Sequence, residues 1–157
     1  MSQNVCQIAA GPDRVYAVLT DGWLYAAWVV GASRVRAVDE RWPQPGGRIH
    51  HSIGAWPALL HDTTEVEECR PPEYLMLRAR ARPSGEARVE FFLAETAAGT
   101  EVQMHEQATA GPVKLLPGGI VDPILHLRNA ETLRRLRYLV ERPSRVTDRS
   151  GPHGPDR

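Results

Sequence analysis

The 157-residue sequence predicts an α+β fold: a seven-stranded antiparallel sheet wrapped around a long C-terminal helix, with two short helices between strands 1 and 2. Three observations lead there. The segment Asp122-Pro123 followed by Ile124 to Glu141 is the one long stretch with helical periodicity and clear start and stop signals. From Ser33 to Ala110 the chain instead breaks into strand-like pieces of roughly 8–12 residues separated by turn chemistry. Within those pieces apolar and polar residues alternate, so the sheet has one dry face and one wet face and needs a cover on the dry side.

Taken in order, Val5 to Ala10 is an apolar run suited to a first strand, broken by Gly11-Pro12-Asp13. Pro12 fits the first turn of a helix on which Val15, Val18 and Leu19 share a face. Asp21-Gly22 ends it, Trp23 to Val29 forms a second short helix, and Gly31 closes that one. Six further strands follow: Ser33–Trp42, Arg48–Trp56, Leu59–Cys69, Tyr74–Arg82, Ala87–Glu95 and Thr100–Ala108. Their turns are Pro43 to Gly47, Trp56-Pro57, Arg70-Pro71-Pro72, Pro83-Ser84-Gly85 and Ala98-Gly99. Connections this short require antiparallel neighbours, because a parallel pair needs a crossover of about a dozen residues. Leu75, Leu77, Ala79 and Ala81 share an inner face against Arg78, Arg80 and Arg82 outside. Ala87, Val89, Phe91 and Leu93 do the same on the next strand, with Phe92 breaking the pattern, and Val102, Met104, Glu106 and Ala108 on the last. Asp122 is placed to cap the final helix, Pro123 to occupy its first position, and Pro143 to stop it. Its stripe is Leu125, Asn129, Thr132, Leu133, Leu136 and Val140, with Arg128, Glu131, Arg134, Arg135 and Arg137 on the flanks and back. Residues 143–157 carry one aliphatic side chain and are expected to be a disordered polar tail beside a single domain of residues 1–142.

Nineteen basic residues balance nineteen acidic ones, so no overall field draws the chain to nucleic acid or an anionic membrane. No run approaches the ~18 apolar residues of a membrane-spanning helix, and the N-terminus does not read as a secretory signal. Cys6 and Cys69 read as buried free thiols of a cytoplasmic protein, with a disulfide as the other option.

Inward polar residues are the useful anomaly, since burying one without a partner costs roughly 1–3 kcal/mol. By parity these are Glu106, His51, Asp62 and Thr64, joined by Asn129 on the helix stripe. If they converge, Glu106 and His51 are the candidate acid and base, with the carboxyl raised by desolvation. The bland alternative satisfies each through a neighbouring backbone group. His50 and His51 are adjacent on a strand and face opposite ways, so no metal site is expected. The segment Leu115-Leu116-Pro117-Gly118-Gly119-Ile120 is either a plain connector or an apolar lip over a pocket. No motif for a cofactor or a covalent nucleophile is present.

Several phrases in this order resemble the SRPBCC superfamily, the helix-grip fold of START domains and the birch-pollen allergen. They are Ala10-Gly11-Pro12-Asp13-Arg14-Val15-Tyr16, Trp28-Val29, Asp62-Thr63-Thr64-Glu65-Val66, Pro71-Pro72 with Leu75, Gly99-Thr100-Glu101-Val102, and Arg128 through Leu136. Within that superfamily the chain looks most like the bacterial polyketide cyclase/dehydrase and lipid-transport group, over nearly all of residues 4–142. The resemblance implies a deep cavity between sheet and helix for small apolar or aromatic molecules. The side chains expected around it are Trp28, His51, Thr64, Leu77, Phe91, Met104, Glu106, Leu116, Ile120, Leu125 and Asn129. The superfamily has no universal catalytic motif, so no catalytic residue is carried over. The expected role is binding a lipid, isoprenoid or polyketide-like molecule, as a monomer or homodimer; the alternative is a cyclase or dehydratase using Glu106 and His51. A protein-contact role at the rim gains nothing from the balanced charge.

Overall fold

The computed structural model describes residues 1–54, 59–81, 85–112 and 118–142. The Trp56-Pro57 break, Arg82 to Ser84, Leu115 to Pro117 and the tail 143–157 lie outside the described residues. The chain runs β1 (Ser2–Ile8), α1 (Pro12–Leu19), a 3-10 turn (Gly22–Leu24), α2 (Tyr25–Trp28), β2 (Ala32–Val38), β3 (Arg48–Ile53), β4 (Leu60–Arg70), β5 (Tyr74–Ala81), β6 (Gly85–Thr96), β7 (Gly99–Ala110) and α3 (Gly118–Glu141). All strands belong to one antiparallel sheet in the order β1-β7-β6-β5-β4-β3-β2. Because β1 and β2 occupy opposite edges, α1, the 3-10 turn and α2 carry the chain from one edge to the other. This is the α+β helix-grip architecture.

The helices are held where their sequences break. Pro12 opens α1, whose Val15, Tyr16 and Leu19 are buried. The Asp21 carboxylate accepts the Trp23 N–H at 3.0 Å and starts the 3-10 turn. Trp42 Nε1 donates to the Thr20 carbonyl at 2.7 Å, pinning the β2–β3 connection to the end of α1. In α3, Asn129, Thr132, Leu133, Leu136 and Val140 are buried against β1, α1 and α2. Each of the three aliphatic side chains is worth roughly 1.5–3 kcal/mol by burial. Asn4 Nδ2 donates to the His126 carbonyl at 3.0 Å, and Ala9 N–H to Glu141 Oε1 at 3.0 Å, so α3 is tied to the β1 edge in its first half and at its last residue.

The ladders stack inner-face residues into rows across the sheet. One row is Leu75, Phe91, Met104 and Asn4; the next is Val66, Leu77, Val89, Glu106 and Ser2; a third is Thr64, Ala79, Ala87 and Ala108. The wet face carries charge: Arg78 pairs with Glu65 at 3.2 Å and Arg88 with Glu67 at 3.1 Å. Phe92 faces this side and packs 5.0 Å from Tyr74 and 5.1 Å from His105, which explains its break in the alternation.

Several boundaries differ from expectation, three of them for a visible reason. β1 begins at Ser2 because β7 is long enough to pair Ser2 with Glu106, and Val5, expected in an apolar run, points outward and is 61% exposed. β2 ends at Val38 rather than Trp42, after register shifts against β3. Helix α3 begins at Gly118, so Asp122 is not its cap and Pro123 lies inside it. Near a helix start a proline deletes a single backbone bond, which the helix tolerates. Asp122 instead receives the N-terminal ammonium of Met1 at 3.1 Å.

Candidate functional site

Between α2, α3 and the dry face lies a cavity of about 310 Å³. Its walls come from Tyr25 and the segment Trp28 to Ala32, His51 and Ile53 of β3, Leu77, Ala79 and Arg80 of β5, Ala87, Val89 and Phe91 of β6, Met104 and Glu106 of β7, and Arg128 and Thr132 of α3. The inner wall is an aromatic cluster: Trp28 meets Tyr25 edge-on at 5.5 Å and Phe91 at 5.9 Å, and Tyr25 lies 5.1 Å from the His51 ring. Small side chains line part of the wall at Ala79 and Ala87, which pair directly across β5 and β6 and are both part-exposed.

Two polar groups break the apolar lining. The first is a chain of hydroxyls: Thr64 Oγ1 is 2.9 Å from the Tyr25 hydroxyl oxygen and 3.0 Å from His51 Nε2. Both hydroxyl hydrogens are used if Tyr25 donates to Thr64 and Thr64 donates to His51, which puts the imidazole proton on Nδ1. In the reverse direction the Tyr25 hydrogen has no acceptor among the described residues. Nδ1 is itself buried with no partner among them. Burial pulls the His51 pKa from the usual 6.5 to about 4; Arg36 and His50 act the same way, and the adjacent Asp62 opposes them. The imidazole is therefore neutral at pH 7. Burial likewise pushes the Tyr25 hydroxyl up to about 12.

The second group is Glu106. Its side chain is 5% exposed, and Oε2 accepts from Asn129 Nδ2 at 2.7 Å and from Arg128 Nη2. A buried carboxylate in this setting requires such partners. Arg128, 38% exposed, also donates through Nε to Asn129 Oδ1 at 3.2 Å.

Trp28, His51, Leu77, Phe91, Met104 and Glu106 thus all reach one cavity. Thr64 and Asn129 stand one layer back, holding His51 and Glu106. Leu125 is half-buried on α3 and does not line the cavity. Leu116 and the side chain of Ile120 lie outside the described residues. Asp62 is buried opposite His51 and accepts from the Thr63 N–H at 2.9 Å. His50 faces away and pairs with Asp39 at 3.0 Å; no group of His, Cys, Asp and Glu among the described residues is placed to share a metal ion. Cys6 and Cys69 are free and half-buried.

Among the lining residues outside the expected set, three have ionisable side chains: Tyr25, Arg128 and Arg80. Arg128 was read as flanking, yet it stands four residues before Thr132 at the edge of the buried stripe, within reach of Glu106. An inward glutamate opposite a helix bearing an arginine beside its stripe is the signal that finds it. Arg80 belongs to the charged face and pairs with Glu86 at 2.9 Å, but it sits near the end of the β5–β6 ladder and borders the cavity as well.

A family model described as Activator of Hsp90 ATPase homolog 1-like protein matches residues 9–122. Among solved structures, a protein from Chromobacterium violaceum superposes with a TM-score of 0.69 at 21% identity, over 90% of this chain and 97% of that one. A protein from Rhodobacter sphaeroides gives 0.68 at 23% identity, over 88% and 90%. The di-domain ARO/CYC StfQ from the steffimycin biosynthetic pathway gives 0.64 at 14% identity, over 88% of this chain and 49% of its own. No curated protein matches in sequence.

Proposed function

We propose, from the premise that the chain belongs to the Activator of Hsp90 ATPase homolog 1-like family within the SRPBCC helix-grip superfamily, that its cavity binds a small apolar molecule of one or two rings. The carrying observation is the cavity itself, about 310 Å³ with Trp28, Leu77, Phe91 and Met104 in its walls. Ligand sites run from roughly 300 to 1,000 Å³, so this one is at the small end and favours a compact aromatic or short isoprenoid over a long-chain lipid. The fold likeness to StfQ adds weight to a polyketide-like ligand.

Purified protein titrated with naphthalene tests this reading. A ligand that binds only the folded state stabilises it by about 2.7 kcal/mol at a hundredfold excess over Kd. The expected result is a dose-dependent rise in Tm, with a one-to-one adduct in native mass spectrometry. No rise with naphthalene or with a short isoprenoid alcohol overturns it.

One observation favours a second reading, turnover of a polyketide-like intermediate: His51 and Glu106 line the same cavity. On that reading Glu106→Gln and His51→Ala each lower the rate of aldol closure of a poly-β-keto thioester probe by about 10²–10⁴, the scale of general acid–base groups. Unchanged rates in both variants dismiss it.

A further inference from the structure

Resting on the cavity-binding reading, the further question is what polar group the ligand carries. Glu106 lines the cavity, but both of its donors, Asn129 Nδ2 and Arg128 Nη2, go to Oε2. Oε1 has no hydrogen-bond partner among the described residues and is not among the occluded polar atoms. Arg128 also lines the cavity, and its bonds use Nε and Nη2, leaving Nη1 without a partner among the described residues. The wall therefore offers an anionic acceptor beside a cationic donor, with no net charge between them.

We propose that Glu106 Oε1 and Arg128 Nη1 form a hydroxyl-reading fork, and that the ligand is a neutral hydroxyl-bearing aromatic whose O–H donates to Oε1 while its oxygen accepts from Nη1. A carboxylic acid is a poor fit, because its anion places like charge against Oε1 in a largely apolar cavity. An ether is a poor fit for the other reason: it accepts but cannot donate, and leaves a buried carboxylate oxygen unpaired. A free phenol or enol is the small group that satisfies both sides without carrying charge.

The test is calorimetric or thermal-shift titration at neutral pH with four matched probes: naphthalene, 2-naphthol, 2-methoxynaphthalene and 2-naphthoate. Wild-type protein should bind 2-naphthol about tenfold or more tighter than naphthalene or the methyl ether, the scale of one hydrogen bond to a charged group. It should bind 2-naphthoate most weakly. Glu106→Gln supplies the decisive reversal. Arg128 and Asn129 keep the amide oxygen at the Oε2 position, so the amide NH₂ replaces Oε1 as a donor. The ether and the carboxylate should then gain on 2-naphthol. If 2-naphthol binds no tighter than naphthalene to the wild type, the fork is wrong while the cavity reading stands. If no probe binds, naphthalene included, the fork falls, and the cavity reading falls with it when a short isoprenoid alcohol fails as well. The wild-type order decides the matter even where the variant folds poorly.

Discussion

His51 is a titratable group that the fold admits only in its neutral form. Its pKa falls from the usual 6.5 to about 4, chiefly through burial. Above pH 6.5 the imidazole is neutral in both folded and unfolded chains and costs nothing. As the pH falls below 6.5 the unfolded chain takes up a proton that the folded chain resists until about pH 4. Stability is therefore lost across that window, by an amount on the order of 2–3 kcal/mol. His51→Gln removes this contribution, so urea midpoints measured from pH 7 to pH 4.5 should fall less steeply in the variant than in the wild type. Superimposable slopes would mean that the imidazole is solvated. The charges facing this group are Asp62, Arg36 and His50, and their opposed effects leave burial in control. Parity along β3 was enough to place His51 inward. Its partners Thr64 and Tyr25 come from another strand and from α2, so only the folded chain brings the three together.

Helix α3 divides into a buried stripe and an exposed side of unequal energetic weight. Leu136 is fully buried, so Leu136→Ala leaves a void in the packing against the sheet and helices and should cost about 2–5 kcal/mol. Ile124 and Leu127 are equally aliphatic but 64% and 72% exposed, and Leu127→Ala should change stability by no more than about 0.5 kcal/mol. Chemical denaturation of the two variants side by side checks the contrast; equal losses would mean that the stripe is misplaced. The helical period identified this stripe from sequence, because spacing along a helix is a local property. The helix start was not legible. Asp122-Pro123 is a sound opening signal, but the ammonium of Met1, just before β1, engages Asp122, and the helix runs back to Gly118. A similar non-local effect sets the Ala98-Gly99 turn. Gly99 has φ +124°, and a Cβ there would lie 2.2 Å from the Ile8 carbonyl oxygen, so glycine is demanded by the neighbouring β1 strand as well as by the turn.

At the scale of the whole molecule, the cavity exists because one row of the dry face is built from small residues. Thr64, Ala79, Ala87 and Ala108 stand side by side across four strands, while the rows beside them carry Leu75, Phe91 and Met104, or Val66, Leu77 and Val89. Filling the row should close the site without harming the fold. Ala87→Leu is expected to stay within about 1–3 kcal/mol of wild-type stability and to lose the naphthalene-induced rise in Tm. An undiminished rise would place the ligand elsewhere. The sequence by itself determined the strand count, the wet and dry faces, the closing helix and the inward set Glu106, His51, Asp62, Thr64 and Asn129, since each follows from turn residues or from a period of two or 3.6 residues along the chain. Only the tertiary structure decided that the alanines of separate strands fall into one row, that Arg128 reaches across to Glu106, and that Tyr25 completes the histidine network. Those outcomes depend on strand register and on where α3 crosses the sheet, and long-range pairing is set by the packing of the entire core rather than by any segment of the chain.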